Sequence, residues 1–413
     1  MKNCEVEYWI WLQKTLGAGT RTDEILSYFE SPKEMYNAGA DEWRLSGLFT
    51  PKKFEKLKKY TLTDVKEILD ECRKKEYKII TPDSAYYPSR FRELSDMPLV
   101  LYGVGDCSVL CDELSIGVVG TRNASAYGKD VAQKLSYRLA DAGATIVSGG
   151  ALGIDSEAHA GAMMAKGRTL AFLGCGLSFD YLKENEPLRR SIRKYGAVVS
   201  EYEPFASASR TTFPIRNRLI SGVSLGVLVI EAGIKSGSLI TAERALEQNK
   251  EVFAVPGDIL KSSFDGANFL IKNGAIPVTN AWDILSGFEY TYGDLIDFEK
   301  AKLPLSGLEY YDFRRPKKNQ TSVKSSEKTE IKPEIVKVTK EASQKNTTER
   351  KPLPEGLSKD AERVYGVITA EPVQIDDIAR GCKLSMQSVL CALTELELFG
   401  LVSAESGKRY RLK

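Results

Sequence analysis

One histidine, His159, stands in a chain of 413 residues. Any device built on an imidazole, such as a Ser/His or Cys/His pair, therefore has a single candidate. Long apolar runs are missing as well: no stretch reaches the ~18 residues that a membrane span requires. Cysteine is sparse and scattered, at 4, 72, 107, 111, 175, 382 and 391. An odd, dispersed set argues for reduced thiols and a cytosolic address. Cys107 and Cys111 form the only close pair in the main body, which is too little for a structural zinc site. Charge of one sign is not in excess either, because 58 Lys/Arg against 56 Asp/Glu leave a net +2. Bulk electrostatics thus announces no nucleic-acid partner, and any basic surface must be local. The opening MKNCEVEYWIWLQK carries acids within its apolar stretch and lacks a small-residue cleavage site, so it makes a poor signal peptide.

What is present is ordinary for a soluble globular protein, 42% hydrophobic and 28% charged. The length suits two to four domains. Residues 1–75 read as short helices. Thr22 can cap EILSYF, and Ser31-Pro32 and Thr50-Pro51 are cap-plus-proline starts. Glycine turns, LGAGT (16–20) and LSGLF (45–49), separate these helices. Such turns can present N–H groups to a DNA phosphate, but they are also how small helical domains turn corners, and the simpler reading is preferred.

From 79 to 290 apolar runs recur: SIGVVG (115–120), ATIVSGG (144–150), TLAFLG (169–174), AVVSEY (197–202), GVLVIEA (226–232) and EVFAVPG (251–257). They are apolar on both faces, as strands buried in a parallel sheet are. Helical segments at 125–143 and 238–250 alternate with them. The expected fold is α/β, an extended Rossmann-like, doubly wound, mainly parallel sheet. Residues 291–355 read as a flexible basic linker. Within it, 314–351 lose every aromatic and hold 12 Lys/Arg against 5 Glu, a local +7. From 356 to 413 three helices and a terminal hairpin suggest a winged helix. Its segment SMQSVLCALTELELFG (385–400) has no Lys or Arg and carries Glu395 and Glu397, which phosphates would repel. Leu390, Leu393, Leu396 and Phe399 fit a core stripe or a partner-binding one.

The strand ends carry the chemistry. Gly120, Thr121 and Arg122 follow one strand, and Ser148, Gly149 and Gly150 follow the next. LGCG follows a third. Lys235, Ser236, Gly237 and Ser238 open a helix after a fourth. Glycine lets backbone approach a ligand, and a helix N-terminus offers free N–H groups to an anion. No loop matches a strong fingerprint, since GCG (174–176) lacks a third glycine and GxxxxGK[ST] is absent. Any one loop is as readily structural as functional, but several separated cradles on one rim fit a polyanion better than one nucleotide. In FPIRNRLISG (213–222), Pro214 suits a first helical turn, and Arg216, Asn217 and Arg218 offer donors to phosphate or carboxylate. Asp155 and His159 share a helix face; a histidine satisfied by local hydrogen bonding outweighs an acid–base or metal pair. Glu201, Glu203 and Glu231 could serve as general acids, or could hold Arg216 and Arg218.

Several stretches in this order resemble the DNA-processing protein A (DprA/Smf) family: YPSRFRELSDMPLVLYGVG, GVVGTRNASAYG, IVSGGALGIDSEAHAGAM, FPIRNRLISG, VLVIEAGIKSGSLITAERALEQNKEVFAVPG and GANFLIKNGA. The resemblance is densest over 87–278. It implies an extended Rossmann domain that binds single-stranded DNA as a homodimer and loads the RecA recombinase during natural transformation. It implies no cofactor and no catalytic residue. One departure is Leu152, where the family often has arginine, so one cation is missing from the rim. The expected DNA-binding set is Gly120, Thr121, Arg122, Ser148, Gly149, Gly150, Arg216, Asn217, Arg218, Lys235, Ser236, Gly237 and Ser238, with Arg218 placed ahead of Arg216. The competing reading is a nucleotide-processing enzyme of the phosphoribohydrolase kind, whose PGGxGTxxE-like loop corresponds to EAGIKSGSLITAE. That stretch lacks PGG but keeps Glu243. A sequence-specific transcription factor using the winged helix is a weaker third reading.

Overall fold

The computed structural model describes residues 5–312, 357–369, 373–382, 384–405 and 409–412. The aromatic-free basic stretch lies outside these residues. Packing divides the chain into two compact units, before and after residue 321.

The first unit opens with helices α1 (Val6–Leu16), α2 (Asp23–Phe29), α3 (Pro32–Leu45), α4 (Pro51–Lys59) and α5 (Lys66–Lys74). Ser31 and Thr50 cap α3 and α4 by accepting from the amides of Glu34 (3.2 Å) and Lys53 (3.4 Å), each just before a proline. Thr22 makes no such bond. It is buried, and its own amide donates to the Ser95 carbonyl instead. Trp9, Trp11 and Trp43 centre the module's core, which also takes in Leu99, Val100 and Tyr102 of the following domain.

The sheet is built from β1 (Lys78–Ile80), β2 (Leu101–Gly105), β3 (Ser115–Val119), β4 (Thr145–Ser148), β5 (Thr169–Leu173), β6 (Gly196–Ser200), β7 (Gly226–Val229), β8 (Glu251–Ala254) and β9 (Ile276–Pro277). Helices α6 (Ala126–Asp141), α7 (Ile154–Met164), α8 (Glu186–Ile192), α9 (Thr212–Val223), α10 (Gly237–Glu247) and α11 (Asp265–Lys272) connect the strands from β3 onward. The spatial order is β1-β2-β6-β5-β4-β3-β7-β8-β9. Strands β3 to β9 pair in parallel, and β2 runs antiparallel between β6 and β1. Alternate side chains fill two cores. Ile116 and Val118 face α6 and α7, whereas Val119, Val227 and Val229 face α9 and α10. Burial on both faces explains why these strands read as unbroken apolar runs.

The expected linker start at 291 is too early. Helices α12 (Trp282–Leu285), α13 (Glu289–Tyr292) and α14 (Phe298–Ala301) continue the fold, with Ile296 and Ala301 buried in the α6-side core. Further on, Gln133 clamps Tyr311, donating to its carbonyl (2.9 Å) and accepting from its amide (2.7 Å). The apolar and aromatic residues of 291–312 thus have a core to enter.

The second unit contains α15 (Lys359–Val367), β10 (Val373–Gln374), α16 (Ile375–Cys382), α17 (Met386–Leu398), β11 (Val402–Glu405) and β12 (Arg409–Leu412), with strand order β10-β12-β11. This is a winged helix. Ser358 and Ser385 cap α15 and α17 by accepting from the amides of Ala361 and Ser388. Leu393 and Leu396 are core, whereas Leu390 and Phe399 are exposed. Glu395 accepts from both the amide and hydroxyl of Ser358, tying α17 to the start of α15. No helix among the described residues is long and apolar enough to cross a membrane.

Candidate functional site

From β3 the chain steps through β4 and β5 to β6, then returns through α9 to lay β7 on the other side of β3. Where strand order reverses, the loops leave the sheet in opposite directions and open a crevice at the carboxyl ends of the strands. A cleft of about 330 Å³ occupies that position. Gly120, Thr121 and Arg122 line it from the β3 turn, Asp155 from α7, and Ser236, Gly237 and Ser238 from the start of α10. Phe213, Arg216, Asn217 and Ile220 line it from one face of α9.

Short local bonds fix the rim. Ser125 caps α6 by accepting from the Gly128 amide (3.0 Å), and its own amide and hydroxyl donate to the Glu231 carboxylate (2.9 and 2.8 Å). The Thr121 amide donates to the Glu231 carbonyl (2.7 Å). Glu231 therefore pins the β3 turn to the end of β7 and holds neither arginine. Ser236 caps α10, and Asn217 donates to the Gly237 carbonyl (3.3 Å).

Arg216 is buried under the cleft. It donates to the carbonyls of Gly149 (2.6 Å) and Phe172 and, through Nε, to Asn217 Oδ1 (3.2 Å). It makes no ion pair among the described residues. A Cβ on Gly149 would sit 2.5 Å from Arg216 Nη1 and 2.7 Å from Asp155 Oδ2, so only glycine lets both groups close in. Burial pushes the Asp155 carboxyl up, and the Arg216 charge opposes that shift. Burial likewise lowers Arg216. Above it, the Phe213 ring lies 4.8 Å from the Arg122 guanidinium, 5.9 Å from that of Arg216 and 5.5 Å from the Tyr181 ring. Arg122 is exposed, and so is Lys235 beside the α10 start, neither with an acid partner among the described residues.

Of the sequence-derived set, Gly120, Thr121, Arg122, Arg216, Asn217, Ser236, Gly237 and Ser238 converge on the cleft, with Lys235 next to it. Ser148, Gly149 and Gly150 lie beneath it. The Ser148 hydroxyl donates to the Val118 carbonyl (2.6 Å), and Gly150, at φ +63°, turns the chain into α7. Arg218 is a correction. It is 2% exposed and pairs with Glu201 (2.6 Å) and Asp96 (3.3 Å), away from the cleft. Two residues on a helix point about 200° apart, so Arg216 and Arg218 cannot serve one groove.

His159 does not face the cleft. The Thr169 hydroxyl donates to the Ile146 carbonyl, so it accepts from His159 Nδ1 at 2.7 Å, and Nε2 is left unprotonated and buried. Desolvation, aided by the Arg216 charge, brings this histidine down to about 3. Glu203 pairs with Lys14 at 2.8 Å. Phe213 was overlooked as a site residue. The signal was there: Phe213, Arg216, Asn217 and Ile220 follow the i, i+3, i+4, i+7 spacing of one helix face.

Residues 78–289 match the family described as DNA recombination-mediator protein A, and residues 348–408 match the DprA winged helix domain. Protein Smf of Synechocystis sp. is 32% identical over 100% of both chains. The DNA processing protein DprA of Streptococcus pneumoniae is 37% identical, covering 65% of this chain and 92% of its own. The X-ray structure of DprA from Streptococcus pneumoniae is similar at a TM-score of 0.59 and 33% identity, over 68% of this chain and 97% of that one.

Proposed function

The chain belongs to the DprA/Smf family of DNA recombination mediators, and on that premise we propose that it binds single-stranded DNA in the switch-point cleft and passes it to a RecA recombinase. The observation that carries this reading is the pairing of unneutralised cations with an aromatic ring on one rim. Arg122 and Lys235 are exposed without acid partners, and Phe213 is held against the Arg122 guanidinium at the cleft wall. Cations track the phosphates, and a ring offers every base a face to stack on, which favours unpaired strands. A nucleotide-processing enzyme would need a carboxylate free to move a proton at the cleft. The one lining carboxylate, Asp155, is buried and accepts from the Ala151 amide at 3.3 Å, and Glu243 is not among the lining residues.

Homodimer formation is part of the same reading. It is supported by the exposure of Ile259, Leu260, Phe269 and Ile276 in the segment that leads to β9, the edge strand of the sheet among the described residues. Size-exclusion chromatography coupled to light scattering checks it, and a monomer at micromolar concentration would remove it. The DNA reading is tested by fluorescence anisotropy with oligo-dT against a duplex of equal length. Tighter binding of the single strand is expected; equal or weaker binding would overturn the cleft assignment. Release of free base from nucleoside monophosphates would favour the enzyme instead. Stimulated RecA filament growth on single strands tests the partner.

A further inference from the structure

The two glycine turns of the helical module look alike in sequence and part company in the structure. Gly19, in the first, is packed against α9: a Cβ there would lie 2.8 Å from Ile215 Cγ2. Gly47, in the second, has φ +66°, and nothing lies within 4 Å of where its Cβ would be. Beside it Leu45 is 77% exposed. Leu48 and Phe49 anchor the second turn on the module's core, Phe49 stacking on Phe29 at 6.3 Å, while its Leu45–Gly47 side stays open, and the turn leads directly into α4.

Helix α4, PKKFEKLKK, carries Lys52, Lys53, Lys56, Lys58 and Lys59 against one acid, Glu55. Among the described residues only Lys58 has an acid partner, Glu55 at 3.4 Å. Lys52, Lys56 and Lys59 recur at i, i+4 and i+7 on the side opposite the buried Leu57, a row about 10 Å long. Lys53, half-buried, is held below its usual range by burial and then by the charge of Lys56. This helix is therefore a concentration of positive charge that repels itself, in a chain whose net charge is only +2.

We propose that the LSGLF hairpin and the lysine row of α4 bind the phosphate backbone of duplex DNA, at a site separate from the switch-point cleft. The nearby rings argue for backbone contact rather than base stacking. Phe54 and Tyr60 are packed against the module's core, whereas Phe213 lines the cleft, and cations flank both module rings: Arg44 and Lys58 at Phe54 (each 5.5 Å), Lys14 and Lys59 at Tyr60 (each 5.3 Å). Without an open ring the surface has nothing that prefers an unpaired strand, while a duplex presents a dense double row of phosphates to three spaced cations. Together with a single-strand cleft on the same compact unit, such a site would hold the protein at junctions between paired and unpaired DNA.

The test is a salt titration of anisotropy with the full-length K52A/K56A/K59A variant on three probes: oligo-dT, a plain duplex, and a duplex with a single-stranded tail. Losing three phosphate contacts should lower the magnitude of the log-affinity against log-salt slope by about 2.7 on the plain duplex. Over roughly 50 to 200 mM salt this changes the ratio of wild-type to variant affinity by ~40-fold. The tailed duplex should lose affinity too, and oligo-dT should not. An unchanged duplex slope with wild-type circular dichroism would overturn the proposal. So would an equal fall on oligo-dT, which would make α4 part of the single-strand path. Failure of the wild type to bind oligo-dT, with the duplex effect intact, would instead remove the cleft reading and leave this one standing.

Discussion

The two sides of α9 hold two buried arginines two residues apart, and their surroundings are opposites. On one side Arg218 meets the carboxylates of Glu201 and Asp96, and Gln13 of the helical module donates to the Glu201 carbonyl at 3.1 Å. On the other, Arg216 spends its donors on the carbonyls of Gly149 and Phe172 and on Asn217 Oδ1, with one buried carboxylate, Asp155, beside it. The exposed Arg122 on the rim above has no ion-pair partner among the described residues. The first side is neutralised from within. The second retains positive charge at an open cleft and so invites an anion from outside. Residue type is the same on both sides; the local supply of carboxylate decides which arginine is structural.

The largest expected effect is on the neutralised side. Arg218→Met strands the Glu201 carboxylate in the interior, where burial already pushes its pKa up. Removing one partner of a buried pair costs about 3–5 kcal/mol, so denaturant unfolding should show a loss of that size. DNA affinity per folded molecule should stay at the wild-type value. If instead affinity fell and stability did not, the two sides of α9 would have been assigned the wrong way round.

Next in size is a pH effect beneath the cleft. The unfolded chain takes up a proton on His159 below its ordinary 6.5, whereas the folded one resists until about 3. Stability from this group is therefore complete above that ordinary value and is lost as pH falls toward the folded one. The loss at pH 5 should be about 2 kcal/mol. Comparing the pH dependence of unfolding in wild type and His159→Gln isolates it; identical slopes would mean that His159 is not held neutral beside Arg216.

On the open side, Phe213→Leu should keep the fold and weaken oligo-dT binding by about 1–3 kcal/mol, the usual worth of one stacked base. An equal loss on duplex would show that the ring shapes the cleft rather than stacking. The smallest effect belongs to Arg122→Ala, which removes one phosphate contact and should lower the magnitude of the single-strand salt slope by about 0.7. An unchanged slope would assign Arg122 to holding Phe213 alone.

Much of this could be read from sequence because a doubly wound sheet writes itself plainly. Six apolar runs gave six strands, and the Ser31 and Thr50 caps gave two helix starts, whereas Thr22 caps nothing. Strands β1, β2 and β9 escaped: β1 and β9 are three and two residues long, and β2 joins the parallel sheet only through antiparallel pairing with β6, distant in sequence. The end of the fold was misjudged because 291–312 finds its core on α6 and α12, contacts that no local pattern reveals. Gly120, Thr121, Arg122, Ser236, Gly237 and Ser238 of the strand-end loops line the cleft, whereas Ser148 and Gly149 lie beneath it. Helical spacing alone separates Arg216 from Arg218; that Glu201 would meet the second required the fold that sets the end of β6 against α9.

Strand β2 has one further consequence. Its residue Tyr102 is fully buried in the module's core, while Leu101 is buried in the core of the sheet. A boundary drawn at residue 75 therefore separates sequence segments but not folding units. The module and the sheet should melt in one calorimetric transition, and the β2 amides should exchange with solvent only when the whole of 5–312 opens. Cutting the chain at 75 would leave Leu99, Val100 and Tyr102 as a raw apolar surface, so the remaining sheet domain should aggregate rather than persist as a minimal binding module.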